Sequence, residues 1–173
     1  MVIGANWVGY FVSMDRRYLY YFDDDHKKEK LLLGSRGADL ALTELQSMFA
    51  RFRDDGKEVY LLLQSPNDDA LNPRQLIGTR WGSASFRVKA PIISKVSLMR
   101  AVQPIDARLR SIAKLTAAHV IDPVEYLCED YCPALTHGGV PIYRDEGHLN
   151  PAYVKTSVRD LDSVLMLDGS KVP

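Results

Sequence analysis

Hydrophobic positions along the chain fall into short apolar runs and into stripes at helical spacing. Residues 1–7 (Met-Val-Ile-Gly-Ala-Asn-Trp) predict a short buried strand with no turn or cap ahead of it, so the chain is expected to start in the middle of a fold. Residues 58–64 (Glu-Val-Tyr-Leu-Leu-Leu-Gln) are a continuous apolar run ending at Ser65-Pro66, the pattern of a strand inside a parallel sheet. His119-Val-Ile-Asp122 predicts a third strand, broken by Pro123. Between these runs, Leu42, Leu45, Met48, Phe49 and Phe52 recur at helical spacing and stop at Asp55-Gly56, an amphipathic helix over residues 39–54. Ile105, Leu109 and Ile112 mark a second helix that starts after Gln103-Pro104 and runs to about Thr116, with residues 91–102 partly helical. Asn150-Pro151 is a strong helix start, an Asn cap with Pro in the first turn, and Val154, Val158, Leu161 and Leu165 supply its expected buried stripe. Residues 9–37, aromatic and then charged, read as an excursion with a hairpin around residues 31–33, and residues 80–89 are ambiguous. The alternation of strand and helix predicts an open α/β sheet, in which ligands bind beyond the carboxyl ends of the strands.

Composition adds limits to this picture. With 173 residues, 46% hydrophobic and 25% charged, the chain reads as a single globular domain able to bury a core, without internal repeats or an interdomain linker. Its longest apolar runs, residues 61–63 and 164–167, are far shorter than the roughly 20 residues of a membrane span. Lys plus Arg (22) equals Asp plus Glu (22), which leaves no field of one sign to draw the chain to nucleic acid or an anionic membrane. The N-terminus has neither a basic region nor an apolar core of the kind that marks a signal peptide.

Candidate chemistry is concentrated late in the chain. Cys128 and Cys132, the two cysteines, are close enough to form a small disulfide; free thiols and zinc are the rivals, and zinc lacks ligands at a usual spacing, His137 and His148 being the nearest. A disulfide implies an oxidising compartment. Asp145 and His148 stand three apart in the loop that leads into Asn150. That spacing lets the carboxylate reach Nδ1, fix the tautomer and stabilise an imidazolium while Nε2 takes a proton from a nucleophile; a surface Asp and His in a turn fit it as well. Asp23-Asp-Asp-His26 reads as a solvated loop rather than a metal cluster, His119 as a structural histidine in a buried strand, and His137 as a turn residue beside Gly138-Gly139.

Asp106-Ala-Arg-Leu-Arg110, Val120-Ile-Asp-Pro123, the C-x-x-x-C pair, Gly138-Gly-Val-Pro-Ile-Tyr143 and Asp145-x-x-His148-Leu149 together resemble the SGNH domains fused to bacterial membrane acyltransferases of the acyltransferase-3 type. The resemblance runs with gaps over residues 1–165 and is specific over residues 106–154. It implies a flavodoxin-like three-layer fold with a parallel sheet, here expected to lack its first strand, and O-acylation of cell-envelope polysaccharide without a cofactor or metal. It makes His148 the general base and then acid, and Asp145 its orienting partner. Gly4-Ala-Asn6 resembles the block that supplies an oxyanion-hole asparagine, although Asn6 is equally read as satisfying backbone groups at a strand end, with Trp7 beside it in the core or a pocket wall. The family's nucleophile sits in a Gly-Asp-Ser motif that this sequence lacks; Ser163 lies on the wrong side of the histidine, and Ser35, between Gly34 and Gly37, has no strand-to-helix elbow. The implied partners are a membrane acyltransferase domain that delivers the acyl group, expected to be acetyl, and a sugar or polysaccharide acceptor. The implied location is the periplasm, attached to the inner membrane through a parent protein. A carbohydrate esterase of the same class, and a non-catalytic remnant or binding module, are the alternatives, and the residues present are expected to be inactive alone for want of the serine.

Overall fold

The structure is a computed structural model that describes residues 1–12, 20–22, 28–79, 86–88, 91–159 and 162. In chain order its elements are β1 (Val2–Gly4), α1 (Trp7–Phe11), β2 (Tyr20–Phe22), β3 (Lys28–Lys30), α2 (Arg36–Asp54), β4 (Tyr60–Leu62) and β5 (Ile77–Thr79). There follow β6 (Phe86–Val88), β7 (Ile93–Ser94), α3 (Lys95–Thr116), β8 (His119–Ile121), α4 (Pro123–Leu127), β9 (Tyr131–Cys132) and α5 (Pro151–Ser157). The chain divides into two compact units, residues 1–64 with 99–121 and residues 65–98 with 122–173.

The first unit is built on a parallel sheet in the order β1-β4-β8, with Val2 beside Tyr60 and Tyr60 beside His119. This is the α/β arrangement expected of a flavodoxin-like fold. The central strand is the most apolar one, and Leu61 is fully buried in it. The first strand departs from its expectation: β1 pairs only with β4 among the described residues, and Val2 is 43% exposed. An apolar sequence does not secure burial for a strand with a neighbour on one side alone.

Helix α2 starts three residues before the predicted 39 because Ser35 is its cap; the Oγ accepts from the Ala38 N–H at 3.3 Å and donates to the Lys30 carbonyl at 2.6 Å. The hairpin is formed by β2 and β3, just before the expected residues 31–33, and α2 packs against it. Gly37 permits that approach, since a Cβ there would stand 2.3 Å from the Lys30 carbonyl oxygen. Helix α3 also differs from its expectation, since Pro104 lies inside it and not before it. Val102, Ile105, Leu109 and Ile112 form one stripe that joins Trp7, Leu42, Phe49 and Leu61 in a single core, and burial of that stripe outweighs the backbone bond that proline removes.

In the second unit β5 pairs antiparallel with β6, and β7 with β9. Asp122 caps α4 through the Val124 N–H at 2.9 Å, with Pro123 at the first helical position, so the break after β8 is also a helix start. Cys128, at the end of α4, is bonded to Cys132 of β9, with Cα atoms 4.4 Å apart, and neither sulfur is available to zinc. Helix α5 begins as predicted, with Asn150 Oδ1 accepting from the Ala152 N–H at 2.9 Å. It ends at Ser157 and none of its residues is buried; Val154 is 39% exposed, while Leu161 and Leu165 lie outside the described residues. A cap is a local device, whereas burial of a stripe needs a facing surface. Among the described residues no helix is long and apolar enough to cross a membrane.

Candidate active site

The loop holding Asp145 and His148 grows from a buried root. Ile142 and Tyr143 are buried, Tyr143 bridges to Leu149, and the Arg144 N–H donates to the His148 carbonyl at 2.7 Å while the Asn150 N–H donates to the Ile142 carbonyl at 2.8 Å. Within the turn so closed, Asp145 Oδ1 accepts from the Gly147 N–H at 3.1 Å, the His148 N–H at 2.8 Å and His148 Nδ1 at 2.8 Å. The Arg144 guanidinium lies at 3.4 Å from Oδ2. The Gly147 amide, and then the imidazole and amide of His148, hold the Asp145 carboxyl well below the usual carboxylate range. An ionised carboxylate can only accept, so Nδ1 carries the proton and Nε2 is the basic nitrogen. The imidazole is 73% exposed and open to a reacting partner. Burial pushes the Tyr143 phenol above its usual range, and its hydroxyl has no hydrogen-bond partner among the described residues.

The other candidates are placed as follows. Asn6 belongs to the first unit, where it caps α1: its Oδ1 accepts from the Gly9 N–H at 2.9 Å, which commits the oxygen and leaves the Nδ2 amide to donate. Trp7 is in the core, its Nε1 donating to the Leu62 carbonyl at 2.8 Å. His119 is exposed rather than buried, in a strand that pairs only with β4 among the described residues, and it stacks on Tyr60 at 4.8 Å between ring centroids. His137 sits in the turn closed by the Gly139 N–H on the Thr136 carbonyl, at 2.9 Å. Ser35 is a helix cap with its hydroxyl committed to backbone. His26 and Ser163 lie outside the described residues. Among the described residues no group of three or more His, Cys, Asp or Glu could hold a metal ion.

Sequence reasoning missed the segment that backs the Asp145 loop, residues 67–72. The contact of Asn72 with Glu146 spans 74 positions and leaves no local signature, so Asn72-Pro73 reads only as a loop.

The parallel sheet agrees with what comparison adds. A family model described as SGNH domain (fused to AT3 domains) matches residues 1–162, while no curated protein and no solved structure matches the chain. A match over nearly the whole chain, ending beyond the Asp145 to His148 turn, covers both units and points to a module for acyl transfer or ester hydrolysis tied to a membrane acyltransferase. The chain belongs to the family of SGNH domains fused to AT3 domains.

Proposed function

We propose that the chain is one SGNH-type domain, lacking the serine block, of an enzyme that moves an acyl group, acetyl as the expected case, onto a sugar hydroxyl of a cell-envelope polysaccharide. The observation that carries this reading is the 2.8 Å bond from His148 Nδ1 to Asp145 Oδ1 in a chain of this family. A serine supplied from outside residues 1–173 takes the acyl group from the membrane domain. His148 Nε2 accepts the serine proton and gives it to the donor group that leaves as the acyl–serine ester forms; it then accepts the acceptor hydroxyl's proton and returns it to the serine as the acyl–serine bond breaks. Asp145 orients the ring and stabilises the imidazolium, and the Asn6 amide donates to the oxyanion. The buried disulfide fits an oxidising compartment and hence the periplasm. An open groove of about 970 Å³ in the second unit, with Tyr126, Tyr131 and Tyr153 in its lining, offers aromatic faces of the kind an uncharged sugar would stack on.

The test is made in the parent protein. His148→Ala should lower polysaccharide O-acylation at least about 100-fold, as loss of a general base does. Unchanged acylation in that variant would overturn the reading. The exposure of the imidazole favours a second outcome at the same site, ester hydrolysis, since water reaches the base as readily as a sugar does. Release of free acetate that added acceptor does not suppress would mark the esterase.

A further inference from the structure

The His148 side chain is exposed and that of Asp145 half-buried, so no core packing holds the His148 ring in place. Its orientation depends on the backbone of residues 145–148, and that backbone is fastened from outside. The Asp68 N–H donates to the Glu146 carbonyl at 3.0 Å, and Asn72 Nδ2 donates to Glu146 Oε2 at 3.2 Å. Gly147 lies so close to Asn67 that a Cβ would stand 2.8 Å from its Nδ2. The fastening segment is itself set. Asp68 Oδ1 accepts from the Ala70 N–H at 2.8 Å, Asn72 Oδ1 accepts from the Arg74 N–H at 3.0 Å, and Leu71 between them is fully buried. Each Asn72 side-chain group therefore has one task, the oxygen holding its own turn and the nitrogen holding Glu146.

We propose that residues 67–72 are a strap and that Asn72, acting through Glu146, is a positioning residue for the His148 imidazole. The inference rests on His148 as the base. With Glu146 held at both carbonyl and carboxylate, the Gly147 and His148 amides converge on Asp145 Oδ1, and the same oxygen then selects the Nδ1–H tautomer. Freed from the strap, the turn opens and the ring drifts towards the Nε2–H tautomer, which cannot accept a proton at Nε2.

The tautomer can be read directly, without substrate, from the ¹⁵N shifts of the His148 ring in the 173-residue chain with the imidazole neutral. Asn72→Asp keeps the cap on Arg74 but sets a carboxylate against Glu146, and should lower the Nδ1–H to Nε2–H ratio about threefold to tenfold, the effect of one hydrogen bond. Glu146→Ala, at an exposed position, should lower it by a similar factor and decides the matter if the first variant does not fold. In the double variant Asn72→Asp with Glu146→Gln, donor and acceptor trade sides and the ratio should return. A wild-type ratio in Asn72→Asp or Glu146→Ala, or no return in the double variant, overturns the strap. Since no turnover is measured, a failed acyl-transfer reading would leave this result standing, and a failed strap would leave that reading standing.

Discussion

At Asp145 a single carboxylate oxygen gathers two backbone amides and one imidazole nitrogen, so the turn and the base are organised by the same charge. These bonds favour the ionised form, and folding therefore lowers the carboxyl below its ordinary 3.8. The sign follows: the stabilisation is complete above about pH 3.8 and is lost as the pH falls below it towards the folded value. Urea midpoints measured from pH 6 down to pH 2 should show wild type more stable than Asp145→Asn, by a margin that is constant above about pH 4 and narrows towards the acid end. A constant difference across that range would contradict the linkage. Tyr143 gives the opposite case, a buried hydroxyl without a partner among the described residues. Tyr143→Phe removes the cost of drying that group while keeping the ring, and should stabilise by about 1 kcal/mol in urea unfolding. The Asp145–His148 pairing is legible from sequence because a turn brings positions three apart together whatever surrounds them. The strap is not, since Asn72 and Glu146 meet only through the fold.

The elements divide along the same line. Ser35, Asp122 and Asn150 each cap a helix through an amide two or three residues on, and of these the Asn150 start is recognised from its sequence. Helix α3 shows where local reasoning stops. Pro104 predicts a boundary, yet the stripe of Val102, Ile105, Leu109 and Ile112 keeps its phase across it, and burial in the core carries the helix through. The two positions should therefore respond differently to alanine. Ile105→Ala, at a fully buried site, should cost about 2–5 kcal/mol. Pro104→Ala restores a backbone donor and should be neutral or stabilising by about 1 kcal/mol or more. A destabilised Pro104→Ala would mean that the proline, and not the stripe, sets the path of the helix.

For the whole molecule, the consequential feature is the outer side of β1. The parallel sheet is legible because the apolar runs at residues 58–64 and 119–122 are too short for buried helices and are separated by clear helical stripes. Which strand lies at an edge is not legible, because the order of strands is decided by crossovers that no single run encodes. In the fold, β1 offers unpaired backbone groups among the described residues, beside the exposed Met1 and Val2. Under the proposed function this edge receives the strand that brings the serine. Without such a strand the edge is a template for another copy. Sedimentation velocity on the 173-residue chain should then show association that grows with concentration. Val2→Lys, which places a charge on the edge and leaves the core untouched, should return it to a monomer with an unchanged circular dichroism spectrum. A wild-type chain that stays monomeric at all concentrations would mean that the β1 edge is covered by the chain's own residues, and the serine-bearing strand would then have to join elsewhere.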